Sequence, residues 1–461
     1  MRDLTVKDIL NVTNGELIIG DENLVCEKFS KDSRKIEKGD IYIGIKGENF
    51  NGSVFAKQAL RDGASCAIIQ DEEFSDEELQ EFKEKTIIKV NDTLQALYEI
   101  AKLKRSFYNI PVIAITGSVG KTSTKDIVAS VVSQKYKTLK TIGNNNNTIG
   151  LPFTILRMKD EEAMVLEMGM NHLGEISLLS NIAKPTLCII TNVGTSHIGN
   201  LGSRENILKA KLEILDGAEN QNIIINSDND LLNDWYEKNA NNFSIKTYGI
   251  ENKSDFNAEK ITLNKENSEF ICKFDENDIK VRVPVGGEHF ILNSLCAIAV
   301  GKVLNIDNEK IVRGIETFEL TKKRMDIREL ENGVKIINDA YNASFESMQA
   351  TLKNISEFKE NRKIAVLGDM LELGDFSKEL HEKVGSEVCK NNIDILICSG
   401  DYAKYIAKKA EEEGMCKENI YFEEKENILG LLKNIVKPGD VILFKASNGM
   451  KFFELADKFS M

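Results

Sequence analysis

The chain has 461 residues, 42% of them hydrophobic, a length that suggests about three domains of ~150 residues, each able to bury a core. Its formal net charge of −13 argues against a nucleic-acid-binding protein, which carries a basic face. It does not argue against a phosphorylated ligand, because a nest of backbone N–H groups binds phosphate on an acidic protein as well.

The amino-terminal segment MRDLTVKDIL carries charges throughout and lacks the apolar stretch of a signal peptide. No apolar run approaches the ~20 residues that span a bilayer, so a cytoplasmic protein with no membrane span is expected. Residues 1–90 alternate short strand candidates (Ile41–Ile45, Ala67–Ile69, Ile87–Val90) with polar turns and a helix over Val54–Leu60, which predicts a small α/β unit. From Asp92 to Tyr108, Leu94, Leu97, Tyr98 and Ala101 recur at helical spacing, and Pro111 ends the pattern. Val112–Ile115, Met164–Leu166, Leu187–Ile190 and Ile223–Ile225 are short apolar runs with helices between them, the pattern of a parallel sheet covered on both faces. Residues 256–285 alternate polar and apolar positions and predict an antiparallel addition. A third α/β pattern starts near Thr321, with strands at Lys335–Ile337, Ile364–Leu367, Ile395–Cys398 and Val441–Phe444. The eight cysteines include no C-x-x-C pair, which argues against zinc, and several sit in apolar runs as small core residues of a protein from a reducing compartment.

The clearest chemical signal is Ile115-Thr116-Gly117-Ser118-Val119-Gly120-Lys121-Thr122-Ser123, between a strand and a helix. Glycines let the backbone curl so that successive N–H groups face one anion, and the helix adds the positive end of its dipole. Lys121 is placed to reach β/γ-phosphates and Thr122 to hold Mg²⁺ through its hydroxyl. The spacing departs from the common G-x-x-x-x-G-K-[ST], since Ile115 stands where the first glycine would be. Glu167 and the segment Thr191–His197 each follow an apolar strand. In a parallel sheet the carboxyl ends of the strands face the ligand crevice, so three strand ends converge. Alone, His197 reads as a solvated loop histidine and Glu167 as a surface carboxylate; their shared topology points to metal or phosphate. Lys209-Ala210-Lys211-Leu212-Glu213-Ile214 reads, from its pattern, as the solvated face of an amphipathic helix.

With these motifs the sequence resembles the Mur ligase family, whose glycine loop T-G-S/T-x-G-K-T/S accounts for the unusual spacing. The resemblance runs over nearly the whole chain: Asp32-Ser33-Arg34 and Gly39-Asp40, Gly143-Asn144, Asn146-Asn147, Ile149 to Pro152, Glu167, Asn171-His172, Gly174 to Ile176 and His197. Asn338-Asp339-Ala340-Tyr341-Asn342-Ala343 and Leu367 to Gly374 look like the branch that joins D-alanyl-D-alanine to UDP-N-acetylmuramoyl-tripeptide. The resemblance implies an α/β enzyme of three domains. Residues 1–90 would form a small α/β domain for the UDP end of the substrate. Residues 91–319 would form a central P-loop-type parallel sheet, with helices on both faces, for ATP. Residues 320–461 would form a Rossmann-like α/β domain for the incoming amine.

By the same resemblance Ser33 and Arg34 fall in the UDP-binding region, with Asn144, Asn146 and Asn147 also on the substrate side. Gly117, Ser118, Val119, Gly120, Lys121, Thr122 and Ser123 hold the ATP phosphates. Asn293, Arg324, Asp339 and Asn342 complete the nucleotide site. Thr122, Glu167 and His197 hold Mg²⁺, together with a Lys211 that carries a carbamate, which reverses the plain reading of that lysine. The reaction implied is phosphorylation of the tripeptide carboxylate by ATP, then attack by the dipeptide amine on the acyl phosphate, in a monomeric enzyme. Three positions depart from the family pattern: His289-Phe290 stands for His-Asn, Asn51-Gly52-Ser53 for Asp-Gly-His, and Lys445-Ala446-Ser447-Asn448 for Lys-Gly-Ser-Arg. A sister ligase with another amine, a nucleotide switch without catalysis and a redirected paralogue are the alternative readings.

Overall fold

A computed structural model describes residues 2–47, 50–274, 277–321 and 325–460. The chain forms three α/β domains in sequence, each built on its own sheet. The first sheet has five strands, in the spatial order Glu16–Ile19, Thr86–Lys89, Cys66–Ile69, Ile41–Ile43 and Phe29–Ser30. All its neighbours pair in parallel except the first two. The predicted strands lie in it, each shifted, shortened or lengthened by one or two residues. Glu16–Ile19 and Phe29–Ser30 were not predicted. They are edge strands with only partly buried side chains, so they lack an apolar signature.

The middle sheet has nine strands. From one edge they run Asn277–Val283, Ser268–Phe274, Phe256–Leu263, Ser244–Gly249, Asn222–Asn226, Leu187–Ile190, Val112–Thr116, Ala163–Glu167 and Thr138–Lys140. Val112–Thr116 and Ala163–Glu167 are buried along their whole length, as befits strands with helices on both faces. Ser268–Phe274 instead alternates buried and part-exposed residues, and it pairs antiparallel on both sides, as its pattern predicts. The helix Thr93–Ser106 enters this domain, its first turn capped by Asp92, whose carboxylate accepts from the amides of Leu94 and Gln95. The third sheet has six strands, in the order Asp326–Glu329, Lys335–Asn338, Val441–Lys445, Lys363–Gly368, Ile395–Ser399 and Ile420–Phe422, parallel after the first pair. Among the described residues no helix is long and apolar enough to cross a membrane.

Candidate functional site

The strand Val112–Thr116 lies between Ala163–Glu167 and Leu187–Ile190, parallel to both, so the residues after Thr116, Glu167 and Ile190 emerge side by side. The turn after Thr116 requires glycine. Gly117 has φ +153°, and a Cβ there would sit 1.9 Å from Thr191 Oγ1. Gly120, at φ +80°, caps the helix Lys121–Val132, whose dipole points into the loop. Asn192 braces this loop from the next strand end. Its Oδ1 accepts from the amides of Ser118 (3.1 Å) and Val119 (2.9 Å), and its Nδ2 donates to the Val119 carbonyl. Lys121 Nζ donates to the carbonyls of Gly117 (2.7 Å) and Ser118 (3.2 Å). Ser118 Oγ accepts from the Gly194 amide, which ties the two loops together.

Glu167 is buried, and its two carboxylate oxygens are divided between two partners. Oε2 accepts from Thr122 Oγ1 at 3.0 Å and Oε1 from Asn146 Nδ2 at 2.8 Å. Lys211 is not on a solvated face: it is 1% exposed, on the helix Arg204–Leu212, and makes no hydrogen bond or ion pair among the described residues. The sequence pattern misled because a lysine among polar neighbours looks the same whether its helix faces water or packs against neighbouring elements. Burial, with Lys121 adding to it and Glu346 opposing, pushes the Lys211 ammonium well below its ordinary range and favours the neutral amine. His197 opens the short helix Ile198–Leu201 with a left-handed φ of +63°. Its buried Nδ1 lies 2.7 Å from Glu372 Oε2, in a contact out of line with the ring N–H, so it has no directed hydrogen bond.

The third domain supplies the opposite wall. A cleft partly open to solvent is lined by residues 118–121 on one side and by Asp339, Tyr341, Asn342, Ser344 and Thr351 on the other. Asp339 is held there by Lys445 Nζ and by Thr351 Oγ1 at 2.7 Å. Asn293 lies in the cleft beside the phosphate loop, its Oδ1 accepting from Thr124 Oγ1 at 3.0 Å. Thus Ser118, Val119, Gly120, Lys121, Ser123, Asn293, Asp339 and Asn342 come together in one cavity. Arg324 lies outside the described residues. Asn226 and Tyr248, which also line the cleft, were not predicted. Their position at the carboxyl ends of parallel strands was the available signal. Glu346 was missed as well; it accepts from the Thr195 amide (2.7 Å) and Thr195 Oγ1 across the domain boundary.

Ser33 and Arg34 do not line this cleft. They form a short turn capped by Asp32, whose carboxylate also accepts from the exposed Arg34 guanidinium. The neighbouring Lys31 Nζ sits 5.8 Å from the ring of Phe153, on the helix Gly150–Leu156. Asn147 precedes that helix and accepts from the Gly150 amide, while Asn144 is exposed. The segment from Asn144 to Asn147 therefore leads from Glu167 toward the first domain. Of the three departures, Ser53 is fully buried and bonded to Gly44 and Gln70, Phe290 is buried against the His289 ring, and Asn448 is exposed.

Among the described residues no three His, Cys, Asp or Glu side chains cluster as a metal site. What fits Mg²⁺ is the pair Thr122 and Glu167, since this ion is commonly held by one or two protein oxygens, with waters and substrate phosphates completing its shell.

Comparison with known proteins agrees with this arrangement. Residues 29–105, 115–301 and 323–448 match domain families described as Mur ligase family, catalytic domain; Mur ligase middle domain; and Mur ligase, glutamate ligase domain. The chain is 38% identical to UDP-N-acetylmuramoyl-tripeptide–D-alanyl-D-alanine ligase of Bacillus subtilis, over 98% of this chain and 97% of that one. The crystal structure of MurF from Acinetobacter baumannii superposes with a TM-score of 0.89 at 28% identity, over 100% of this chain and 99% of that one. MurF ligase from Thermotoga maritima in complex with ADP gives 0.81 at 28% identity, over 94% and 97%. Three strand ends around a glycine loop, closed over by a third α/β domain, thus accompany identity along the full length, and the chain belongs to the Mur ligase family, in the branch of the UDP-N-acetylmuramoyl-tripeptide–D-alanyl-D-alanine ligases.

Proposed function

We propose that the chain joins D-alanyl-D-alanine to UDP-N-acetylmuramoyl-tripeptide at the expense of ATP, in the cytoplasmic stage of peptidoglycan synthesis, as a monomer. The observation that carries this reading is the cleft in which the phosphate loop faces Asp339, Tyr341 and Asn342 of the third domain. Residues 1–90 are assigned to the UDP end of the substrate, through Ser33 and Arg34; residues 91–319 to ATP; and residues 320–461 to the amine. Asn144, Asn146 and Asn147 lie along the path between the first two.

A free carboxylate is a poor electrophile. A terminal carboxylate oxygen of the tripeptide therefore attacks the γ-phosphorus, ADP leaves, and an acyl phosphate forms. The dipeptide amine then attacks the carbonyl carbon, and phosphate leaves as the tetrahedral intermediate collapses. The protein's part is positioning and charge neutralisation. The loop from Gly117 to Ser123 surrounds the phosphates, which take their amide donors from Gly120 and the first turn of the helix, and Lys121 follows the charge that develops on the γ-phosphate. Asn293, Asp339 and Asn342 orient the nucleoside side, and Arg324 joins after closure. Mg²⁺, when bound, offsets phosphate charge, and Thr122, Glu167, His197 and a carbamylated Lys211 are the residues that would hold it. Lys211 is suited to carry a carbamate: a buried neutral amine forms an N–C bond to CO₂ and gives up one N–H proton to solvent, and the product is an anion beside Lys121. Closure of the third domain keeps water from the acyl phosphate.

The test is phosphate release from Mg-ATP with UDP-N-acetylmuramoyl-tripeptide, in lysine and diaminopimelate forms, with and without D-alanyl-D-alanine. Release that needs all partners, with a product heavier by the dipeptide, is expected. Release without the dipeptide, or none from folded protein that binds ATP, overturns the substrate assignment.

A further inference from the structure

Two carboxylates of the third domain grip one loop of the middle domain, the loop that carries His197. Glu346 accepts from the Thr195 amide and hydroxyl. Glu372 places Oε2 at 2.7 Å from His197 Nδ1, and its carbonyl accepts from the Gly199 amide at 3.1 Å. The packing is backbone against backbone. A Cβ on Gly199 would meet Glu372 O and Gly374 N at 2.7 Å each. His197 (φ +63°) and Glu372 (φ +64°) are both non-glycine residues in the left-handed region, which side chains other than glycine seldom adopt. Such conformations persist where the surroundings over-determine them, and here each residue is held against the other. His197 Nδ1 is also buried without a directed hydrogen bond, so Glu372 is its nearest acidic neighbour.

We propose that Glu372 is a positioning residue for His197. With its carboxylate 2.7 Å from Nδ1 it favours the tautomer that carries the proton there and leaves Nε2 for a divalent cation, an arrangement present only when the third domain is docked. A carboxylate behind a histidine ligand is a recurrent way of orienting the ring. Here the carboxylate comes from a different domain than the histidine, which couples cation binding to docking of that domain. This inference rests on the reading of His197 as a metal-side residue.

The experiment titrates Mn²⁺ into the full-length protein with ADP, following free Mn²⁺ by electron paramagnetic resonance, for the unaltered chain, His197→Ala, Glu372→Ala and Glu372→Gln. Glu372→Ala should weaken Mn²⁺ binding about tenfold or more. Glu372→Gln, whose carbonyl still accepts from a ring N–H, should restore most of it. Should Glu372→Ala melt below the assay temperature, Glu372→Gly, which suits φ +64°, takes its place. If Glu372→Ala binds Mn²⁺ within twofold of the unaltered chain while His197→Ala is weakened, the positioning role is wrong and the metal reading stands. If His197→Ala itself binds normally, the metal reading of His197 falls, and the proposal with it.

Discussion

Lys121 and Gly117 show how differently single residues are exposed to inference. Lys121 is legible from the loop motif alone. Lys121→Ala should abolish phosphate release, a loss of at least about 10³-fold given what a charge-stabilising donor contributes, with an unchanged melting temperature. Retained activity in that variant would remove the loop from the chemistry. For Gly117 the motif says only that glycine is needed; the structure gives the reason, a Cβ colliding with Thr191 at a φ that side chains avoid. Gly117→Ala should destabilise the protein by roughly 2 kcal/mol or more and weaken ADP binding, measured by urea unfolding and calorimetry. Lys211 marks the limit of sequence reading. Its pattern is that of a solvated helix face, and only packing against neighbouring elements, a property of the tertiary fold, makes it a buried amine.

At the scale of elements, the fully buried parallel strands were legible because both faces are covered and the runs are uniformly apolar. Thr138–Lys140 and Ile420–Phe422 were not, since edge strands carry half-exposed residues and short lengths. The helix Lys121–Val132 does more than cap a phosphate loop. Its Asp126 accepts from the Thr321 amide (3.0 Å) and hydroxyl (2.7 Å), where the chain passes to the third domain, and faces Lys125 and Lys140. Asp126→Ala removes these bonds and leaves the Lys125 ammonium buried without its carboxylate. A loss of about 3 kcal/mol is expected in denaturant unfolding. On the helix Ser377–Lys390, His381 is buried with Nδ1 2.6 Å from the Ser377 carbonyl, and its Nε2 accepts from the Met370 amide. Burial holds its pKa below the ordinary 6.5, so the folded state resists the proton that the unfolded state takes up. The contribution is intact above pH 6.5 and is lost as pH falls toward the depressed value. Melting temperatures recorded across that range should fall less steeply for His381→Gln than for the unaltered chain.

For the whole molecule, three sheets in chain order followed from length and apolar periodicity, whereas the way the third domain meets the middle one did not. That contact includes Glu346, Glu372 and the backbone near Gly199, and further bonds from Lys353 to Glu288 and from Asn354 to the Gly286 carbonyl, none of which a local pattern singles out. Gly199 has an ordinary helical φ, so alanine there is harmless to its own turn and obstructs only the third domain. Gly199→Ala should therefore leave the melting of the protein nearly unchanged, increase its radius of gyration in small-angle scattering with nucleotide, and lower turnover about 10²-fold, as misplacement by about 1 Å does. Normal turnover would mean that docking at Gly199 is not part of the cycle.

The brace formed by Asn192 also partitions the loop's donors. The amides of Ser118 and Val119 already have an acceptor within the protein, so an incoming phosphate meets Gly120 and the first turn of the helix instead. In hydrogen–deuterium exchange the two sets should behave as different populations. Ser118 and Val119 would exchange slowly with or without nucleotide, because their protection comes from the fold, while the amides of Gly120 to Ser123, ahead of the first intrahelical bond at Thr124, would slow only when ADP is added.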